Sequence, residues 1–84
     1  MSQIEKLIEQ LKTRPDAFKY QDMKKVLKHL GYSELIGGKT SGSRIRFMSA
    51  THPPISLHRP HPGNEVKAYV IKDVTQFLED EGLI

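Results

Sequence analysis

Apolar residues along this chain follow two different periods. Ile4, Leu7, Ile8 and Leu11 recur at the spacing of one helix face. Thr13-Arg14-Pro15-Asp16 breaks the pattern, because proline has no backbone N–H and its ring clashes with a continuing helix, so a first helix is expected to end near Lys12. Met23, Val26, Leu27 and Leu30 resume the helical spacing, and Gly31 offers the residue that most easily takes the left-handed backbone of a helix stop. A second helix is predicted from about Tyr20 to Leu30. Val66, Val70, Ile71, Val74, Phe77 and Leu78 mark a third, with Asn64 as its expected N-cap and an end near Gly82.

Between the second and third helices the period drops to two. Tyr32 to Ile36 reads as a short strand, and Gly37 to Gly42 has the composition of a turn. Ser43 to Met48 then alternates strictly, with Ile45 and Phe47 expected to face the core and Arg44 and Arg46 to face water. Ile55-Ser56-Leu57-His58 repeats the alternation, which assigns Ser56 and His58 to the arginines' face. Pro60-His61-Pro62-Gly63-Asn64 is excluded from a central strand, since two prolines remove ladder donors. The order helix, helix, strand, strand, strand, helix predicts an α+β fold: a small three-stranded antiparallel sheet with helices on one face and its other face open.

Charge changes the picture more than composition does. Between Leu35 and Asn64 there is no acidic residue, while Lys39, Arg44, Arg46, Arg59 and three of the four histidines fall there. All ten carboxylates lie outside that window, where they meet the other nine Lys and Arg. A soluble surface is usually best served by interspersed signs, so this segregation points to a polyanionic partner. One cluster runs the other way. Glu79, Asp80 and Glu81 crowd the end of the third helix, the unfavourable sign for its dipole, and a basic partner surface is one reading of them.

Eighty-four residues are expected to form one domain, without room for a deep pocket between lobes. With no cysteine there is neither a disulfide nor a catalytic thiol. No secretory leader pattern and no apolar run of roughly 18 residues is present, so a cytoplasmic protein without a membrane association is expected.

The stretch from Met23 onward resembles a known family. A helix closing on Leu30-Gly31-Tyr32, the Gly42-Ser43 step that opens a strand, a strand leading into Pro60-His61-Pro62-Gly63, and a last helix with a Gly-Leu-Ile end follow one another as in the HicA toxins. The resemblance implies a double-stranded-RNA-binding-like α-β-β-β-α fold, with Met1 to Asp16 as an added N-terminal helix. It also implies an mRNA interferase of a toxin–antitoxin pair, restrained by a protein antitoxin of HicB type. At the step where the family usually carries Gly-Ser-His, with that histidine taken as catalytic, this sequence reads Gly42-Ser43-Arg44. Two readings stay open: another histidine performs the chemistry, or the protein binds RNA without cutting it.

Cleaving RNA without a metal needs a base for the 2′-hydroxyl, an acid for the departing 5′-oxygen and cations around the phosphorane. Histidine suits both proton transfers, with an ordinary pKa of ~6.5. His58 or His61 is the expected base, with Arg44, Arg59 and Lys39 supplying positive charge. Thr40, Ser41 and Ser43 are expected to hydrogen-bond phosphate, and Arg46 to contact RNA from the same sheet face. His52 is expected in a connection and His29 in solvent. Each of these residues also has a plain reading as a solvated loop or sheet position.

Other chemistries fit less well. Lys39-Thr40-Ser41-Gly42-Ser43 lacks the glycine spacing of a phosphate-binding loop and precedes a strand, which excludes nucleotide hydrolysis. His52, His58 and His61 offer neither the ligand number nor the tight pairs of structural zinc, so no metal and no cofactor are expected. No helix shows the basic, base-reading face that major-groove DNA recognition requires. The competing class is a non-catalytic module that holds RNA or a protein on the open sheet face.

Overall fold

A computed structural model describes residues 3–35, 44–58 and 65–84. The elements run α1 (Gln3–Lys12), β1 (Ala17–Lys19), α2 (Tyr20–His29), β2 (Tyr32–Leu35), β3 (Arg44–Ser49), β4 (Ile55–His58), β5 (Glu65–Lys67) and α3 (Ala68–Asp80). Strands β2, β3 and β4 form an antiparallel sheet in that spatial order, and β1 pairs antiparallel with β5. The fold is therefore α+β with a three-stranded sheet, as its two periods predict. None of the helices among the described residues is long and apolar enough to cross a membrane.

The first two helices and three strands follow the hydrophobic pattern closely. Leu7 and Leu11 of α1, Met23, Val26 and Leu27 of α2, and Ile71, Val74 and Leu78 of α3 are buried. Tyr32, Ile45, Phe47, Ile55 and Leu57 bury the helix-side face of the sheet against them. Each helix stops where its sequence provides a left-handed residue. Gly31 follows α2 with φ +99° and Gly82 follows α3 with φ +74°, a region closed to most side chains. At the end of α3 the Leu83 N–H bonds the Leu78 carbonyl and the Gly82 N–H bonds that of Glu79, which satisfies two carbonyls otherwise left without partners.

Helix α1 ends without a glycine. Arg14 takes φ +52° instead, a conformation that costs an L-residue about 1–2 kcal/mol. Its side chain is held from three sides: Nη2 lies 2.8 Å from Glu79 Oε1 and 3.3 Å from Gln76 Oε1, and Nη1 donates to the Lys12 carbonyl at 3.2 Å. The hydrogen bond from Arg14 holds the Glu79 carboxyl below its ordinary value of 4.5, with the Arg14 and Lys12 charges adding to the effect. A lowered folded-state pKa means a contribution to stability present above the unfolded value and lost as pH falls through the folded one. In Arg14→Gln, the Glu79 carboxyl is expected to titrate closer to 4.5. Carbon-detected NMR of the Glu79 carboxyl checks this, and an unmoved midpoint would mean the ion pair does not form.

Two expectations about the third helix need correction. Asn64 does not cap it: α3 begins at Ala68, the cap position is Lys67 in extended backbone with no side-chain cap bond, and Asn64 lies outside the described residues. Val66 is not on the helix but in β5, buried and paired with Phe18 of β1. Val66 stands four positions before Val70, so it extends the helical stripe while serving a strand. Strands of three residues are too short for alternation to reveal. The predicted order also lacked β1 and β5 for this reason.

The acidic end of α3 meets partners within the chain. Glu79 pairs with Arg14, and Glu81 Oε1 lies 2.9 Å from His52 Nδ1. His52 sits in the β3–β4 connection, as expected, where the Ser49 hydroxyl accepts from the Thr51 and His52 N–H groups. Tyr32 fastens the same connection by donating its hydroxyl proton to the Pro53 carbonyl at 2.7 Å. Burial, and secondarily the Glu81 charge, push the Tyr32 phenol above its ordinary 10.0 and keep it a donor.

Candidate functional site

Among the described residues, none covers the face of the sheet turned away from the helices. Burial of Ile45, Phe47, Ile55 and Leu57 on one side forces the alternate positions to the other, because successive side chains of a strand point to opposite faces. Ser33, Leu35, Arg46, Met48 and Ser56 are exposed there. Register brings them into neighbouring pairs: Ser33 opposite Met48, Leu35 opposite Arg46, and Arg46 opposite Ser56. Leu35 and Met48 remain 52% and 40% exposed, which gives a cationic centre an apolar margin.

The same ladder makes Arg44 and His58 Cα partners, two positions along from Arg46 and Ser56. Strand parity puts Arg46 and Ser56 on the open face, and the Arg44–His58 backbone pair lies beside them on the ladder. Directly opposed positions are the closest cross-strand neighbours a sheet offers. Arg46 has no carboxylate partner among the described residues. The side chains of Arg44 and His58, and all of Lys39, Thr40, Ser41, Ser43, Arg59 and His61, lie outside the described residues.

Not every candidate stands on this part of the ladder. His52 is drawn to Glu81 at the end of α3, so it serves to tie the β3–β4 connection to the helix. His29 is exposed on α2. No three of His, Asp and Glu come together as metal ligands among the described residues.

A second charged feature escaped the sequence reading. Lys24, Lys25 and Lys28 of α2, with Tyr32, Ser33 and Glu34 of β2, line a groove of about 640 Å³. Its signal is present in the sequence as three lysines at i, i+1 and i+4 on the polar side of α2. Lysines on a polar helix face are ordinary, and only the packing of α2 against β2 turns these three toward a common concavity. Lys24 Nζ lies 3.3 Å from Glu34 Oε1 and 5.4 Å from the centre of the Tyr20 ring.

A family model described as HicA toxin of bacterial toxin-antitoxin matches residues 20–83. That span begins with α2 and takes in β2 to β5 and α3, so it contains both the open sheet face and the basic groove. Searches among curated proteins and among solved structures return no match.

Proposed function

The chain belongs to the HicA toxin family, and from that premise we propose that it is a metal-independent endoribonuclease that cuts messenger RNA in the cytoplasm. It is the toxin of a toxin–antitoxin pair, and its restraint is proposed to come from an antitoxin of HicB type. The observation that carries the catalytic reading is the β3–β4 register, which makes Arg44 and His58 partners beside Arg46 and Ser56. His61 follows three residues after His58, and Arg59 stands between them.

In the proposed reaction His61 or His58 takes the proton from a ribose 2′-hydroxyl. The freed oxygen attacks phosphorus, and the bond from phosphorus to the 5′-oxygen breaks. The other histidine, protonated, returns a proton to that oxygen. The products are a 2′,3′-cyclic phosphate and a 5′-hydroxyl. Arg44 and Arg59 stabilise the charge that builds on the phosphorane, an electrostatic contribution that is usually the largest single one. Lys39, Ser41, Ser43 and Arg46 hold the phosphate backbone without reading sequence.

The open face also fits the antitoxin. Leu35 and Met48 offer apolar contact beside Arg46, and carboxylates of the antitoxin placed over Arg46 would both block RNA and steer association. Arg44 favours a second reading. It stands where the family resemblance leads one to expect histidine, as it would in a module that kept the RNA surface and lost the cut.

Purified protein incubated with a long messenger RNA in excess EDTA tests the proposal. Cleavage leaving cyclic-phosphate ends is expected, whereas RNA bound but intact would select the second reading. In Arg46→Gln the affinity for RNA is expected to fall uniformly across sequences, with the salt slope reduced by about 0.7. An unchanged slope would take Arg46 out of the interface.

A further inference from the structure

We propose that the groove between α2 and β2 is a second binding track for the phosphodiester backbone of RNA, separate from the open sheet face. This rests on the reading of the protein as RNA-binding and extends it to a surface that reading does not use. Three ammonium groups, Lys24, Lys25 and Lys28, stand along the α2 wall of the groove. A single carboxylate, Glu34, lines it, and that carboxylate is engaged by Lys24 at 3.3 Å. Lys25 and Lys28 are exposed and have no acidic partner among the described residues. The groove therefore keeps an uncompensated positive charge, within a concavity that concentrates it.

Lys24 gives the groove an ordered edge. Its ammonium lies over the Tyr20 ring and against Glu34, and its side chain is 40% exposed, so the charge is positioned yet still reachable by a ligand. Lys28 lies about one helical turn, or roughly 6 Å, further along the wall. A ligand with repeating negative charge and no fixed side-chain pattern meets that arrangement best. Lysine is depleted at protein–protein interfaces, whereas protein–nucleic acid interfaces are strongly positive, and this difference favours RNA over an acidic protein segment.

The groove is also continuous with the proposed cutting surface. Strand β2 is its boundary: Tyr32 and Glu34 belong to the helix side, while Ser33 and Leu35 belong to the open face, where Leu35 is opposite Arg46. Neighbouring strands are about 4.8 Å apart and β2 is the edge strand on that side, so an RNA strand leaving Arg46 passes over β2 to reach the rim of the groove. A long RNA engages both surfaces at once, and the toxin gains affinity for extended messages over short fragments.

The test measures binding of a fluorescent RNA methylated at every 2′-oxygen, which cannot be cut by attack of the 2′-hydroxyl. Lys25→Gln/Lys28→Gln is expected to bind on the order of tenfold more weakly at low salt, with the salt slope reduced by about 1.4 for two lost contacts. Lys25→Arg/Lys28→Arg is expected to restore both values, and Lys6→Gln/Lys12→Gln, on α1, is expected to leave the slope as in the wild type. An equal fall in the α1 variant would reduce the effect to net charge and overturn the proposal. Wild-type affinity and slope in the α2 double variant would overturn the groove while leaving the proposed function standing, whereas absence of RNA binding by the wild type would overturn both. Intact RNA binding with weakened binding of the antitoxin would assign the groove to the protein partner instead.

Discussion

In His61→Ala the rate of RNA cleavage is expected to fall by about 10²- to 10⁴-fold, the usual contribution of one positioned general acid or base. Affinity for RNA is expected to stay near the wild-type value, because Lys39, Arg44, Arg46 and Arg59 are proposed to carry the phosphate binding. His58→Ala is expected to behave in the same way, since one histidine must accept the 2′-proton and another must supply one to the 5′-oxygen. Two groups that act in opposite protonation states give a bell-shaped dependence of rate on pH, and loss of either removes one limb of the bell. Single-turnover cleavage of a defined RNA across the pH range, beside a thermal melt of each variant, measures both effects. Folded variants that both cut at the wild-type rate would remove histidine from the chemistry and leave the arginine-rich binding module as the function.

The second large effect concerns stability. Leu11→Ala is expected to destabilise the fold by about 2–5 kcal/mol, the range for emptying a fully buried leucine site. Leu11 has no exposed surface, and its carbonyl accepts a hydrogen bond from the buried Thr75 hydroxyl of α3 at 3.4 Å. The variant keeps that carbonyl and loses only the side chain packed between α1 and its neighbours α2 and α3. Total stabilities of small domains are about 5–15 kcal/mol, so the melting temperature is expected to drop by on the order of 10–30 °C. An unchanged melting temperature would show that α1 does not pack on the rest of the fold. Leu7, Leu11 and Phe18 all precede residue 20, so a fragment cut at the start of the family match would leave part of its core behind. Such a fragment is a poor vehicle for testing activity.

How the sequence could be read depended on the range of the interaction. The helices α1 and α2 and the strands β2, β3 and β4 rest on neighbours within a few positions. Their limits fall within a residue or two of those read from spacing, proline and glycine. β1 and β5 rest on each other. Phe18 and Val66 are far apart in the chain, and neither carries a local mark of the pairing. The acidic end of α3 gave the same difficulty. Glu79, Asp80 and Glu81 looked unfavourable because the partners of two of them, Arg14 and His52, come from distant loops. His52 counted among the window's histidines, yet its ring is committed to Glu81, and nothing near it in sequence announces this.

By itself the sequence determined the fold class, the open sheet face and the place of Arg46 and Ser56 on it, because alternation of apolar and polar residues fixes which side of a strand each residue takes. It also determined that the positive charge of the middle segment is unopposed by nearby carboxylates in the chain. Only the tertiary structure decided which strands pair, and hence that Arg44 falls opposite His58. It alone placed α1 in the core, gave Glu79 and Glu81 their partners, and turned three lysines of α2 into the wall of a groove. Local pattern records the face a residue must bury, while pairing, ion pairs and concavities arise from segments that meet only after the chain has closed on itself.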